Sequence, residues 1–147
     1  MNTKNNPSPA VYNLGRFIEA QSEVYRIALR ELQKDRKQSH WMWFIFPQLK
    51  HLGYSYNSKF YGISGAEEAS EYLEDTILGQ RLREVSNAIL NLATDDAIKV
   101  FGDIDSCKLK SSMTLFDLIS PNDIFARVLD KYFDGQRDNR TVNIIQP

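Results

Sequence analysis

Leu14, Phe17, Ile18, Tyr25, Ala28, Leu29 and Leu32 recur at spacings of three, four and seven residues, with charged side chains between them. A helix of 3.6 residues per turn gathers such positions on one face, so residues 14–32 read as a long amphipathic helix. The period returns in Leu78, Leu82, Val85, Ile89 and Leu92, in Leu109, Met113, Phe116 and Leu118, and in Ile124, Phe125, Val128, Leu129 and Phe133. No stretch alternates apolar and polar residues between hairpin turns, and no internal repeat or low-complexity linker breaks the pattern. The expectation is an all-α chain, an irregular or orthogonal bundle of six or seven helices.

Local signals set the expected boundaries. Ser39 reads as the N-cap of a short helix from His40 through Phe44, which Pro47 ends. Ser64-Gly65-Ala66-Glu67 has the form of a capping box opening a helix to about Glu74. Thr76 and Thr94 suit the next two caps, Gly102 and Gly135 suit helix ends, and Ser120-Pro121 suits the start of the last helix. Leu49 to Ile63, with two glycines and four aromatics in unperiodic order, reads as an ordered loop, and the tail from Gln136 as a polar turn. At 147 residues one domain is expected: a flexible segment 1–11, a helical domain 12–141 and a C-terminal tail 142–147.

Cys107 is the only cysteine, which excludes an internal disulfide and a cysteine pair for structural zinc. Met1 to Pro9 lacks the apolar core of a signal peptide, and no run approaches the roughly 18 apolar residues of a membrane span, so a cytoplasmic location without membrane contact is expected. The net charge of −1 argues against broad, salt-driven binding to nucleic acid. Charge is nevertheless uneven. Arg26 to Lys59 holds seven Lys/Arg against Glu31 and Asp35, whereas Ser64 to Asp105 holds ten acids against Arg81, Arg83 and Lys99. Arg36, Lys37, Lys50 and Lys59 are expected to form a positive face, and the helix beginning at Ser64 a negative one.

The most unusual block is Arg36-Lys37-Gln38-Ser39-His40-Trp41-Met42-Trp43-Phe44-Ile45-Phe46-Pro47-Gln48, which holds both tryptophans. Together with Arg16-Phe17, Ala20-Gln21, Leu78-Gly79-Gln80-Arg81-Leu82, the stretch Lys108 to Phe116 and the Asp134-Gly135…Asp138…Thr141 tail, it resembles the domain-of-unknown-function 1810 family from about Tyr12 to Thr141. The resemblance implies a small helical fold and carries no established activity or catalytic residue. Some relatives bear the label calpastatin, but that inhibitor is a long disordered chain and this one is well patterned.

The block is apolar nearly all round a helix, so it is expected to be buried as core. A functional reading makes Trp41 or Trp43 one wall of a pocket, with Lys37, His40 and Gln48 at its mouth and the Ser111-Ser112-Thr114 turn beside Lys108 and Lys110 supplying hydroxyls and ammonium groups for phosphate or ribose. Arg16, Lys37 and Lys108 would hold phosphate, and Gln21 and Gln48 a base or sugar edge. His40 and Asp138 are the proton-transfer candidates. His40 and His51 lack metal-ligand spacing, the aspartates match no calcium loop, and no P-loop, G-x-G-x-x-G or G-x-S-x-G occurs, so neither metal nor cofactor is expected.

Two classes of function follow. One is a ligand-handling domain for a small anionic, nucleotide-like or ADP-ribose-like compound, with N-glycosidic hydrolysis as its enzymatic form. The other is a protein-interaction module that docks a partner on its charge-polarised surface. RNA binding ranks third, because it needs exposed aromatics on a shared face, and only the Tyr54-Tyr56-Phe60-Tyr61 loop offers them.

Overall fold

The computed structural model describes residues 12–147; the expected flexible segment 1–11 lies outside them. Among the described residues nine α-helices run in the order α1 Gly15–Gln33, α2 Met42–Ile45, α3 Tyr56–Phe60, α4 Ala66–Glu74, α5 Leu78–Leu90, α6 Ala97–Phe101, α7 Asp103–Ile119, α8 Ile124–Phe133 and α9 Asn139–Ile145. No strand occurs among the described residues, only an isolated parallel bridge between Leu49 and Ile63. The all-α expectation holds, with two short helices, α3 and α9, that the periodicity did not reveal. Five and seven residues are too few for a 3.6-residue repeat to register. Among the described residues no helix is long and apolar enough to cross a membrane.

α7 is the central strut, packed by α4, α6, α8 and α9. Seven consecutive residues from Ser111 to Asp117 are buried, so it is sheathed on all sides rather than on one stripe. α1 closes the bundle against α5 and α2 with Phe17, Ala28 and Leu32 inward. α9 runs through much of the expected tail, and Ile145 packs on the core.

Several caps differ from expectation. Ser39 caps no helix, because Glu31 claims its hydroxyl and its N–H, and α2 starts only at Met42. Glu68 rather than Glu67 reaches back, its carboxylate accepting from Ser64 N at 2.8 Å. Asp75 and Asp96 receive the helix-start N–H groups expected at Thr76 and Thr94, and Asp123 does so in place of Ser120. A carboxylate with two lone-pair-rich oxygens outcompetes a hydroxyl one to three residues away for the positive end of a helix. Gly102 ends α6 as expected, at φ 84°. The end of α8 takes two left-handed residues, Asp134 and Gly135.

Candidate functional site

The turn from Gln38 to Trp41 is built around one carboxylate. Glu31, in the last turn of α1, accepts from Gln38 N at 2.8 Å, Ser39 N at 2.9 Å, the Ser39 hydroxyl and Trp41 Nε1 at 2.9 Å. Burial alone would raise its pKa, but these four donors outweigh that and hold it at about 2, from an ordinary 4.5. Trp41 is thereby fixed as a fully buried core residue.

Lys37 lies over the Trp41 ring at 4.9 Å and Lys108 over the Trp43 ring at 5.2 Å. The Asp105 carboxylate stands between the two ammonium groups, at 2.9 Å from Lys37 Nζ and 3.6 Å from Lys108 Nζ. Each tryptophan therefore carries a cation, and one acid on the first turn of α7 positions both.

Trp43, Gln48 and Lys108 line one small pocket with Met42, Phe46 and Tyr61 and with Asn57 and Ser58 of α3. Its free volume of ≈ 10 Å³ is about that of one water-sized sphere. Trp43 Nε1 is buried and has no hydrogen-bond partner among the described residues. A buried N–H in that state costs roughly 1–3 kcal/mol, so the wall carries an unspent donor. The side-chain amides of Gln48 and Asn57 have no hydrogen bond among the described residues either. A wider groove between α1 and α5 is less suggestive, since its central groups satisfy one another: the Tyr25 hydroxyl donates to Glu84 and Arg81 stacks on the Tyr25 ring at 4.9 Å.

The remaining sequence candidates lie elsewhere. Lys37 adjoins the site only through Asp105, and its ammonium also donates to Ser39 O at 2.6 Å. His40 is exposed on the preceding turn and does not line the pocket. Arg16 is a clamp, paired to Glu68 at 2.9 Å and donating to the carbonyls of Phe60 and Gly62 at 2.7 and 3.0 Å. Gln21 is buried, donating to Phe44 O at 2.7 Å and to the Tyr72 hydroxyl at 3.2 Å. Ser111 and Thr114 turn their hydroxyls back to the α7 carbonyls of Cys107 and Lys110, as helix-interior hydroxyls do. Ser112 is fully buried, without a hydrogen-bond partner among the described residues and away from the pocket. Asp138 caps α9, its carboxylate accepting from Thr141 N at 3.0 Å and from the Thr141 hydroxyl at 2.6 Å. The Lys37–Asp105 pair joins the basic segment to the acidic one, and Arg16, which precedes the basic segment, pairs with Glu68; both neutralise part of the expected polarity, whereas Arg36, Lys50 and Lys59 stay exposed. Among the described residues no group of three His, Cys, Asp or Glu side chains is placed to hold a metal.

Sequence reasoning missed Glu31, Asp105, Asn57 and Ser58. Asp105 carried a signal: it lies three residues before Lys108 in a helix, where opposite charges meet. Asn57 and Ser58 carried none, because only the return of the chain at Leu49 and Ile63 brings α3 over Trp43.

The chain is similar to the crystal structure of the conserved hypothetical protein Rv1873 from Mycobacterium tuberculosis, with 43% sequence identity, a TM-score of 0.90, and coverage of 92% of this chain and 98% of that one. No curated protein matches it. The family described as "Protein of unknown function (DUF1810)" matches residues 11–145, and the chain belongs to that family.

Proposed function

We propose that the chain is a receptor for a small anionic compound, nucleotide-like or ADP-ribose-like, whose phosphate or other anionic end enters between Trp43 and Lys108. The observation that carries this reading is the buried Nε1–H of Trp43, without a partner among the described residues, on an indole whose face also carries the Lys108 ammonium. An indole N–H only donates and an ammonium only donates, so the group that satisfies both is an acceptor, and a charged one gains most. Gln48 and Asn57 add amides that read a carbonyl or a hydroxyl at the same place. The cleft is narrow, so an oxygen-bearing end enters and the body of the ligand stays at the mouth. The reading is one of binding. Neither of the proton-transfer candidates for N-glycosidic hydrolysis, His40 and Asp138, lines the pocket.

Calorimetric titration of the protein with phosphate, nucleotides, dinucleotides and ADP-ribose tests it. Wild type should bind one member of the panel. Trp43→Phe, which deletes the N–H and keeps an aromatic ring, and Lys108→Gln should each weaken that binding by tenfold or more, about 1.4 kcal/mol, while melting like wild type. If wild type binds none of them, or both variants bind as wild type does, the receptor reading gives way to the protein-interaction module.

A further inference from the structure

Residues 49–63 leave the bundle and return to it at one neck. Lys50 N donates to Ile63 O at 2.8 Å, and Ile63 N donates to Gln48 O at 2.9 Å. Between Lys50 and Tyr61 no side chain is buried. Asn57 and Ser58 of α3 line the pocket, but the helix also carries Tyr56 and Phe60 one turn apart. At 100° per residue these two fall on the side away from Ser58. Their rings stack with centroids 5.7 Å apart and planes inclined by 10°, and they are 76% and 41% exposed. Tyr54, just before them, is 87% exposed. Burying a large apolar side chain stabilises by about 1.5–3 kcal/mol, so three aromatics left in water on one short excursion mark a contact surface.

Charge identifies what the surface contacts. From Arg36 through Ala66 the chain holds no Asp or Glu. Lys50, His51 and Lys59 are exposed on the excursion, and Arg140 of α9 reaches it, donating to Leu52 O at 3.4 Å. Glu19 is the acid beside Tyr61, and Arg16 stands there with it. A partner that is both anionic and rich in flat rings uses the cations and the aromatics together. We infer that this outer face of residues 49–63 binds single-stranded nucleic acid, with bases stacked on Tyr54, Tyr56 and Phe60 and phosphates held by Lys50, Lys59 and Arg140. Duplex is disfavoured, since protruding rings stack on unpaired bases and cannot reach those inside a helix. The net charge of −1 confines the contact to this patch. Three cations predict a shallow salt dependence, a slope of about −2 in log K against log salt. The inference is independent of the Trp43 pocket, which lies on the other side of α3.

Fluorescence anisotropy of a labelled mixed-sequence RNA strand, compared with the duplex it forms, tests the proposal on the full chain. The strand should bind at least tenfold more tightly than the duplex. Tyr56→Ala/Phe60→Ala, an exposed pair whose loss leaves the circular dichroism spectrum unchanged, should weaken strand binding roughly tenfold or more, as loss of base stacking does. Lys50→Gln/Lys59→Gln should flatten the salt slope by about 1.4. No strand binding at low salt, equal affinity for strand and duplex, or undiminished binding by the aromatic double variant overturns the proposal. So does self-association of wild type that the same double variant abolishes, which assigns the patch to a second copy of the chain.

Discussion

Replacing Glu31 by alanine removes the acceptor for four donors at once. The cost is unequal among them. Trp41 lies in the core, and its indole N–H has no alternative partner once the 2.9 Å bond to Glu31 Oε1 is lost, so it bears a desolvation penalty of roughly 1–3 kcal/mol. Ser39 is half-buried and Gln38 exposed, so water replaces much of what they lose, and together they add about 1 kcal/mol. Glu31→Ala is therefore expected to destabilise by roughly 2–4 kcal/mol at neutral pH. Acid supplies an internal control. The folded-state pKa of about 2 lies below the ordinary 4.5, so the stabilisation from ionised Glu31 is fully present above pH 4.5 and is lost as pH falls toward 2. The group is partly open to solvent, and screening leaves about 1–2 kcal/mol of pH-dependent stability. Urea unfolding of wild type and variant across that window measures both quantities. A difference below about 1 kcal/mol at neutral pH, or one that stays constant from pH 4.5 down to 2, refutes the assignment of Glu31 as the organiser of this turn.

Two further substitutions test other parts of the structure. Gly79→Ala places a Cβ 2.1 Å from Leu73 O, a backbone atom of α4 that cannot move without the helix. Although alanine favours helix by about 1 kcal/mol over glycine, the variant should be less stable by roughly 3 kcal/mol, and a higher melting temperature would sink the argument. Asp138→Ala removes the α9 cap, with an expected cost of about 1 kcal/mol in thermal unfolding. It should leave ligand affinity intact, and a lost affinity in the folded variant would return Asp138 to the site.

The long helices were legible because they obey one rule over many turns. Leu14 to Leu32 predicted α1 to within a residue at either end, and the apolar positions from Leu78 and from Ile124 located α5 and α8. Caps were harder, because Ser39, Thr76, Thr94 and Ser120 each lie near a carboxylate that competes for the same N–H groups, and a sequence pattern cannot rank them. The candidate site was legible only in parts. Trp43, Gln48 and Lys108 could be named for their chemistry, yet sixty residues separate Gln48 from Lys108, and no local pattern shows that they meet. Nor could it show that Arg16, Gln21, Ser111 and Thr114, equally suited to a ligand, spend their polar groups on the protein's own backbone.

The neck at Leu49 and Ile63 has a consequence for how the domain opens. None of residues 50–61 is fully buried; apart from the neck they are held by the half-buried Leu52 and Tyr61, the latter packed against the Phe17 and Phe44 rings at 6.0 and 5.2 Å, and by Arg16 at Phe60 O and Arg140 at Leu52 O. With only two half-buried apolar anchors, their free energy of local unfolding should be smaller than that of the bundle, and their amides should exchange with solvent while α1, α5, α7 and α8 stay protected. One wall of the Trp43 pocket belongs to this cheaply opened unit and the other to the rigid core, so a molecule that bridges them converts fast-exchanging hydrogens of α3 into slow ones without altering the core.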